Sequence, residues 1–218
     1  PQLAEEYDSD PLWEHHSHTC LIAAQNDYPH ICEWAITQLA ACEDFDESHM
    51  AECMESCLTE ACLVHAWKAV EFLAKRQGER FDPSELLFVV NYDFEVSKFL
   101  MEKMNVSVEY GMMAGAVSRQ LYGPNFSDME YIHSKGCPKD IPEDFREGEA
   151  YAHRGHSVDA YMAALCNDSV QFPTRLALIK WLHERGYSLE GSYAMEVALK
   201  DDDLPMVGAL MALGVPFD

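Results

Sequence analysis

The sequence predicts an all-α chain, an α-solenoid of about six helix-turn-helix repeats with insertions, and three observations carry that prediction. A short amphipathic segment recurs along the chain. A second apolar block, ending in turn-forming residues, precedes each copy. The smallest interval between copies is too short for one unit to bury its own apolar face, so units must stack on neighbours.

The recurring segments are "EWAITQ" from Glu33, "EFLAKR" from Glu71, "KFLMEK" from Lys98, "EYIHSK" from Glu130, "KWLHER" from Lys180 and "GALMAL" from Gly208. Five of these six put an aromatic second, as Trp34, Phe72, Phe99, Tyr131 and Trp181, with Ala209 in the last copy. In the last four copies an apolar pair three residues apart marks a helix face: Val96 with Phe99, Met129 with Ile132, Ile179 with Leu182, Val207 with Leu210. The aromatics are therefore expected at equivalent buried positions. The preceding blocks are "TCLIAAQND", "MAECMESCL", "ELLFVVNYD", "GMMAGAVSR", "AYMAALCND" and "YAMEVALKD", most of them ending in Asn or Asp.

Punctuation between the blocks agrees with helices. Pro29, Pro173 and Pro205 are placed to open second helices, where a missing N–H costs nothing. Gly136, Gly186 and Gly214 follow second helices and suit left-handed C-caps. Apolar-acid steps come next, at Phe45-Asp46, Phe81-Asp82, Val108-Glu109, Leu189-Glu190 and Phe217-Asp218, where the acid can serve the following helix N-terminus. The second-position residues are spaced 38, 27, 32, 50 and 28 apart, so two intervals carry insertions. The expected organisation is an N-terminal extension, 1–13, then a single repeat domain, 14–218, with repeats near 14–46, 47–82, 83–109, 110–140, 157–190 and 191–218.

The pairs "IKWLHERGYSLE" and "MEYIHSKGCPKD" resemble the second helix and cap of divergent ankyrin repeats, in the form with a Trp-Leu-His core met in protist and algal proteins. The resemblance runs from about Thr19 to Asp218. No copy has the Thr-Pro-Leu-His opening, and Asp-rich turns replace the usual Gly-His between helices. What the resemblance implies is protein–protein recognition without chemistry, and a fold-level likeness names no partner.

Charge narrows the partner. With 38 acidic against 15 basic residues, the formal charge of −23 repels phosphate backbones and anionic lipid, so no nucleic acid is expected. A protein with a basic or mixed basic and apolar surface is expected instead. The longest obvious apolar run, "LLFVV", is far short of the ~20 residues that cross a bilayer, and no direct membrane insertion is expected. The insertion at 141–156, within "IPEDFREGEAYAHRGHS", and a shorter one, "SVQF", break the rhythm; repeat proteins often place such extras on the binding face. Phe145, Glu147, Tyr151 and Arg154 are accordingly the expected partner-binding residues, together with the first helices. A loop without a role is the competing reading.

Other candidates carry chemistry. His15, His16, His18 and Cys20 in "HHSHTC" are zinc-ligand types, but adjacent histidines on one segment do not converge on one ion. Cys53, Cys57 and Cys62 read as small core residues, Cys53 and Cys57 sharing a helix face. Cys32-x9-Cys42 and Cys53-x8-Cys62 approach the spacing of disulfide-linked helical hairpins, though a chain with an ample core does not need staples, and reduced thiols are expected among the eight cysteines. There is no G-x-S-x-G, P-loop or H-E-x-x-H, "GMMAG" lacks a dinucleotide loop's third glycine, and "HRGHS" with Glu147 and Asp159 needs no role beyond solvation. No catalytic, cofactor-binding or metal-binding residue is expected, and no cofactor. The reading is a non-enzymatic scaffold, a free adaptor or a fixed accessory subunit of a larger, organellar complex; the alternative is a metal- or redox-dependent module built on His15, His16, His18 and Cys20 or on the cysteine pairs. The start, "PQLAEEYDSDP", has no basic n-region or apolar h-region, which leaves the compartment open between cytosol and an organelle after removal of a targeting segment, a reducing one being favoured.

Overall fold

The computed structural model describes residues 12–43, 45–120, 126–140, 159–165, 171–189 and 192–215. Among these the structure is helical, without a strand, and no helix is long and apolar enough to cross a membrane. The chain divides into two compact units, 1–82 and 83–218.

The first unit holds α1 (Leu12–Gln25), α2 (Pro29–Leu39), α3 (Glu47–Leu63) and α4 (Trp67–Gln77), closed by a 3₁₀ turn, Gly78–Arg80. α1 packs on α2 and α3, α3 on α4, and α2 on α4. Two polar residues set this geometry. Asp27 takes the left-handed conformation (φ 59°) that ends α1, and Tyr28 N–H donates to Ala23 O at 2.9 Å. The freed Asp27 carboxylate then accepts from Ala69 N–H at 2.9 Å and so caps α4, whose own N-cap, Ala66, offers no side chain. Asp46 caps α3 as the apolar-acid step predicts, accepting from Ser48 and His49 N–H.

The second unit holds α5 (Pro83–Val89), α6 (Phe94–Lys103), α7 (Gly111–Ser118), α8 (Ser127–Ser134), α9 (Ala160–Leu165), α10 (Phe172–Glu184), α11 (Ala194–Lys200) and α12 (Leu204–Ala212). They pair in order as α5 with α6, α7 with α8, α9 with α10 and α11 with α12, while α7 packs on α9, α9 on α11 and α10 on α12. The predicted glycines close second helices with positive φ: Gly136 at 85°, Gly186 at 78° and Gly214 at 86°. The loop after α10 meets the loop after α8, where Ser188 N–H donates to Lys139 O at 2.8 Å.

Burial follows the recurring segments, but the residue buried in each is one later than expected. The third position of every copy is fully buried: Ala35, Leu73, Leu100, Ile132, Leu182 and Leu210 are each 0 % exposed. Of the second-position aromatics only Trp181 is buried; Phe72, Phe99 and Tyr131 are half-buried, and Trp34 is 51 % exposed. One residue is about 100° of helix rotation, enough to move a side chain from the core to the flank. On that flank the aromatics bridge adjacent second helices. Tyr131 meets Phe94 edge-on at 6.0 Å and donates its hydroxyl hydrogen to Glu102 at 2.9 Å. Trp181 stacks on Phe126 at 6.0 Å, donates its indole N–H to Glu130 at 3.2 Å and carries the Arg185 guanidinium 4.0 Å above its ring.

The "GMMAG" glycines also find their reason in packing. A Cβ on Gly115 would overlap the Tyr92 carbonyl oxygen, and one on Gly111 the Tyr92 ring. Residues Gly111 to Val117 of α7 and all of α9 are buried. These two first helices are therefore core, not the partner face that the sequence suggested for first helices.

Candidate functional site

Phe145, Glu147, Tyr151 and Arg154 lie outside the described residues, as does "HRGHS". Asp159, grouped with them by sequence, starts α9: one carboxylate oxygen accepts from Tyr161 N–H at 2.8 Å and the other from Ser192 Oγ–H at 2.6 Å. Burial holds its carboxyl above the usual range, a sign of a structural polar tie inside the unit.

α1 spreads the N-terminal histidines around its circumference. His15 and His18 are exposed, while His16 packs edge-on against Trp34 with ring centroids 5.5 Å apart. Cys20 points inward and is 0 % exposed. Among the described residues no group of three or more His, Cys, Asp or Glu side chains is arranged to hold a metal ion.

The cysteine pairings suggested by spacing are not the ones brought together. Cys53 and Cys62 lie on the single helix α3, nine residues and so about 13 Å apart along its axis, beyond any disulfide. Cys32 lies in the first turn of α2, whereas Cys42 follows its C-terminus and donates its thiol hydrogen to Gln38 O at 3.4 Å. Instead Cys20 of α1, Cys32 of α2, and Cys53 and Cys57 of α3 form one thiol cluster. The Cys20 thiol interacts with those of Cys32, Cys53 and Cys57, and Cys53 interacts with Cys57. Cys32 Sγ lies 3.7 Å from Cys20 O as a donor. Sequence spacing identified the shared face of Cys53 and Cys57 but not its partners, because the contact of α1 with α3 is tertiary.

The cluster is electrically asymmetric. The Cys20 hydrogen bond, helped by Cys57 and by Ser17, pulls the Cys53 thiol well down against burial. Cys20 is pushed far up by its thiol neighbours, Cys32 first, and by its own desolvation. The Cys32 thiol is also pulled down, chiefly by Cys20. The Ser17 hydroxyl is buried without a hydrogen bond of normal geometry, so its help to Cys53 is a long, weak contact. Cys53 and Cys57 form part of the floor of an open groove of about 260 Å³, with Ser17, His18, Leu21 and Ser56 on its walls. A second groove, sharing Ser17, Cys53 and Ser56 with the first, is walled by Trp13, Phe45 and His49, whose rings touch one another.

A different surface lies at the turns between the two helices of a pair. Tyr28 (50 % exposed), Leu63 (55 %) and Val64 (50 %) stand there in the first unit, and Val89, Leu199 and Leu204 in the second. The sequence signal for them is an apolar residue beside a left-handed turn at Asp27, His65, Asn91 or Asp202, off the buried stripe. No family model, no curated protein and no solved structure matches this chain.

Proposed function

We propose that this chain is a non-enzymatic protein–protein interaction scaffold, an acidic ankyrin-like α-solenoid that serves as an accessory subunit of a larger assembly. The observation that carries the proposal is the recurrence of one buried slot, Ala35, Leu73, Leu100, Ile132, Leu182 and Leu210, in successive helical pairs. A fold made of one repeated packing unit devotes its interior to stacking and leaves turns and insertions for recognition. The exposed apolar residues at the turns support this reading, because they use positions that the core does not need. The partner has a basic or mixed basic and apolar surface, complementary to the −23 charge. The insertion residues Phe145, Glu147, Tyr151 and Arg154 join that face.

The test compares the full chain with a variant lacking Glu143 to Gly155, each used to recover partners from native extract for mass spectrometry. The deletion is expected to leave helical content and melting temperature nearly intact and to cut recovery of a defined partner sharply. Unchanged recovery would make the insertion a loop and shift the face to the turns. If Tyr28→Ser, Val64→Ser and Leu204→Ser then also leave recovery unchanged, the scaffold reading is wrong. The alternative, a redox-dependent module, draws on the thiol cluster and is separated from the scaffold by thiol chemistry alone.

A further inference from the structure

We propose that Cys53 and Cys20 form a reversible disulfide that staples α1 to α3, made by exchange with a small cationic disulfide that enters the groove over Cys53. The proposal stands on the placement of the thiols and does not depend on the scaffold reading. Cys53 is the cluster's half-buried member and borders both grooves, whereas Cys20, Cys32 and Cys57 are at most 1 % exposed. It is the sulfur that a reagent reaches first. Its resolving partner must come from another element. Cys57 is four residues on along the same helix, where Cβ atoms stand about 5–6 Å apart, and a disulfide needs about 3.5–4.5 Å. Cys20 approaches from α1, which packs directly on α3, and Ser17 and Leu21, flanking Cys20 in α1, line the same groove as Cys53. Cys32 is engaged with the Cys20 carbonyl behind them.

The exchange balances without a metal or further oxidant. The Cys53 thiolate attacks one sulfur of the small disulfide, forming a mixed disulfide and releasing one small thiolate. The Cys20 thiol then passes its proton to the departing second small thiol as its sulfur attacks the Cys53 sulfur. The products are the Cys20–Cys53 disulfide and two reduced small molecules, one leaving as the thiol. Stabilisation of the Cys53 thiolate by its thiol neighbours favours the first step at neutral pH. The formal charge of −23 favours a cationic disulfide over an anionic one.

The probe is cystamine on the reduced full chain at neutral pH, followed by acid quench, alkylation of remaining thiols, intact mass and peptide mapping. The expected product has lost two hydrogens, retains no adduct, links the Cys20 and Cys53 peptides and reverts with dithiothreitol. Glutathione disulfide, an anion, is expected to give the same link more slowly. In Cys20→Ser the cystamine adduct is expected to persist on Cys53. As a check that needs no variant, the rate at which iodoacetamide alkylates Cys53 of the wild type is followed against pH. That rate should stay flat on lowering the pH by about one unit, whereas an ordinary thiol slows tenfold. A link between other cysteines, a stable adduct on the wild type, or thiols that stay unreactive until denatured overturns the proposal. So does an alkylation rate at Cys53 that falls about tenfold over that unit of pH.

Discussion

Trp181 and Leu182 are neighbours in the chain with different surroundings. Leu182 is fully enclosed among helix faces, as its equivalents are in every copy. Trp181 is 6 % exposed because Phe126, His133, Tyr187 and Arg185 cover it, not because its position in the repeat demands burial. Trp181→Ala should therefore destabilise the protein by about 3–5 kcal/mol, whereas Trp34→Ala, at the same position in the first copy, should stay within about 1 kcal/mol. Urea denaturation monitored by circular dichroism measures both. Asp159 gives a pH signature. Burial raises its native pKa above the unfolded value, so between the two values the native state holds more protons than the unfolded chain. Its contribution to stability is present below about 3.8 and is lost as pH rises through the native value. Asp159→Asn should flatten that fall, read as the difference between wild-type and variant stability across the acidic range.

At the scale of elements, helix contacts are decided by small residues as much as by large ones. α7 reads as apolar on every side, and its glycines look like weak points for a helix. Gly111 and Gly115 are four apart, on one face, and Tyr92 lies against both, itself in a left-handed conformation with φ 50°. Gly115→Ala must push backbone atoms and should cost about 1–3 kcal/mol through overpacking. Gly208, in the middle of α12, is exposed and has open space around it. Gly208→Ala should raise stability by about 0.5–1 kcal/mol through helix propensity alone. Opposite signs for the same substitution would be seen in one set of denaturation curves. Asp203 shows a similar economy, capping α12 through Met206 N–H while pairing with Arg175 of α10 at 2.8 Å.

At the scale of the whole molecule, charge is the property that reaches furthest. An excess of 23 negative charges acts over roughly a Debye length, about 8 Å at physiological ionic strength. Association with a basic partner should slow and weaken as salt rises, and the effect should fall mainly on the association rate. Surface plasmon resonance with the partner, once recovered, tests this between low and high salt. A rate indifferent to salt would assign recognition to the apolar turn residues Tyr28, Val64, Val89, Leu199 and Leu204 alone.

Among the described residues, helix class and most helix ends were legible in the sequence because they depend on neighbours in the chain. Period-3 apolar spacing, Pro29, Pro173 and Pro205 at helix starts, and Gly136, Gly186 and Gly214 after helix ends act within one turn. The recurring segments were legible for the same reason. Which residue of each copy faces the core was not, since the second and third positions are both apolar and only the neighbouring helix selects between them. The same holds for the thiols. Spacing along the chain favoured Cys32 with Cys42 and Cys53 with Cys62, but a rigid helix separates the second pair. Packing of α1 on α3 brings Cys20 to Cys53 instead. Local chemistry thus determined the helices, and tertiary contact decided which of their side chains meet, because encounters between distant residues depend on how helices dock.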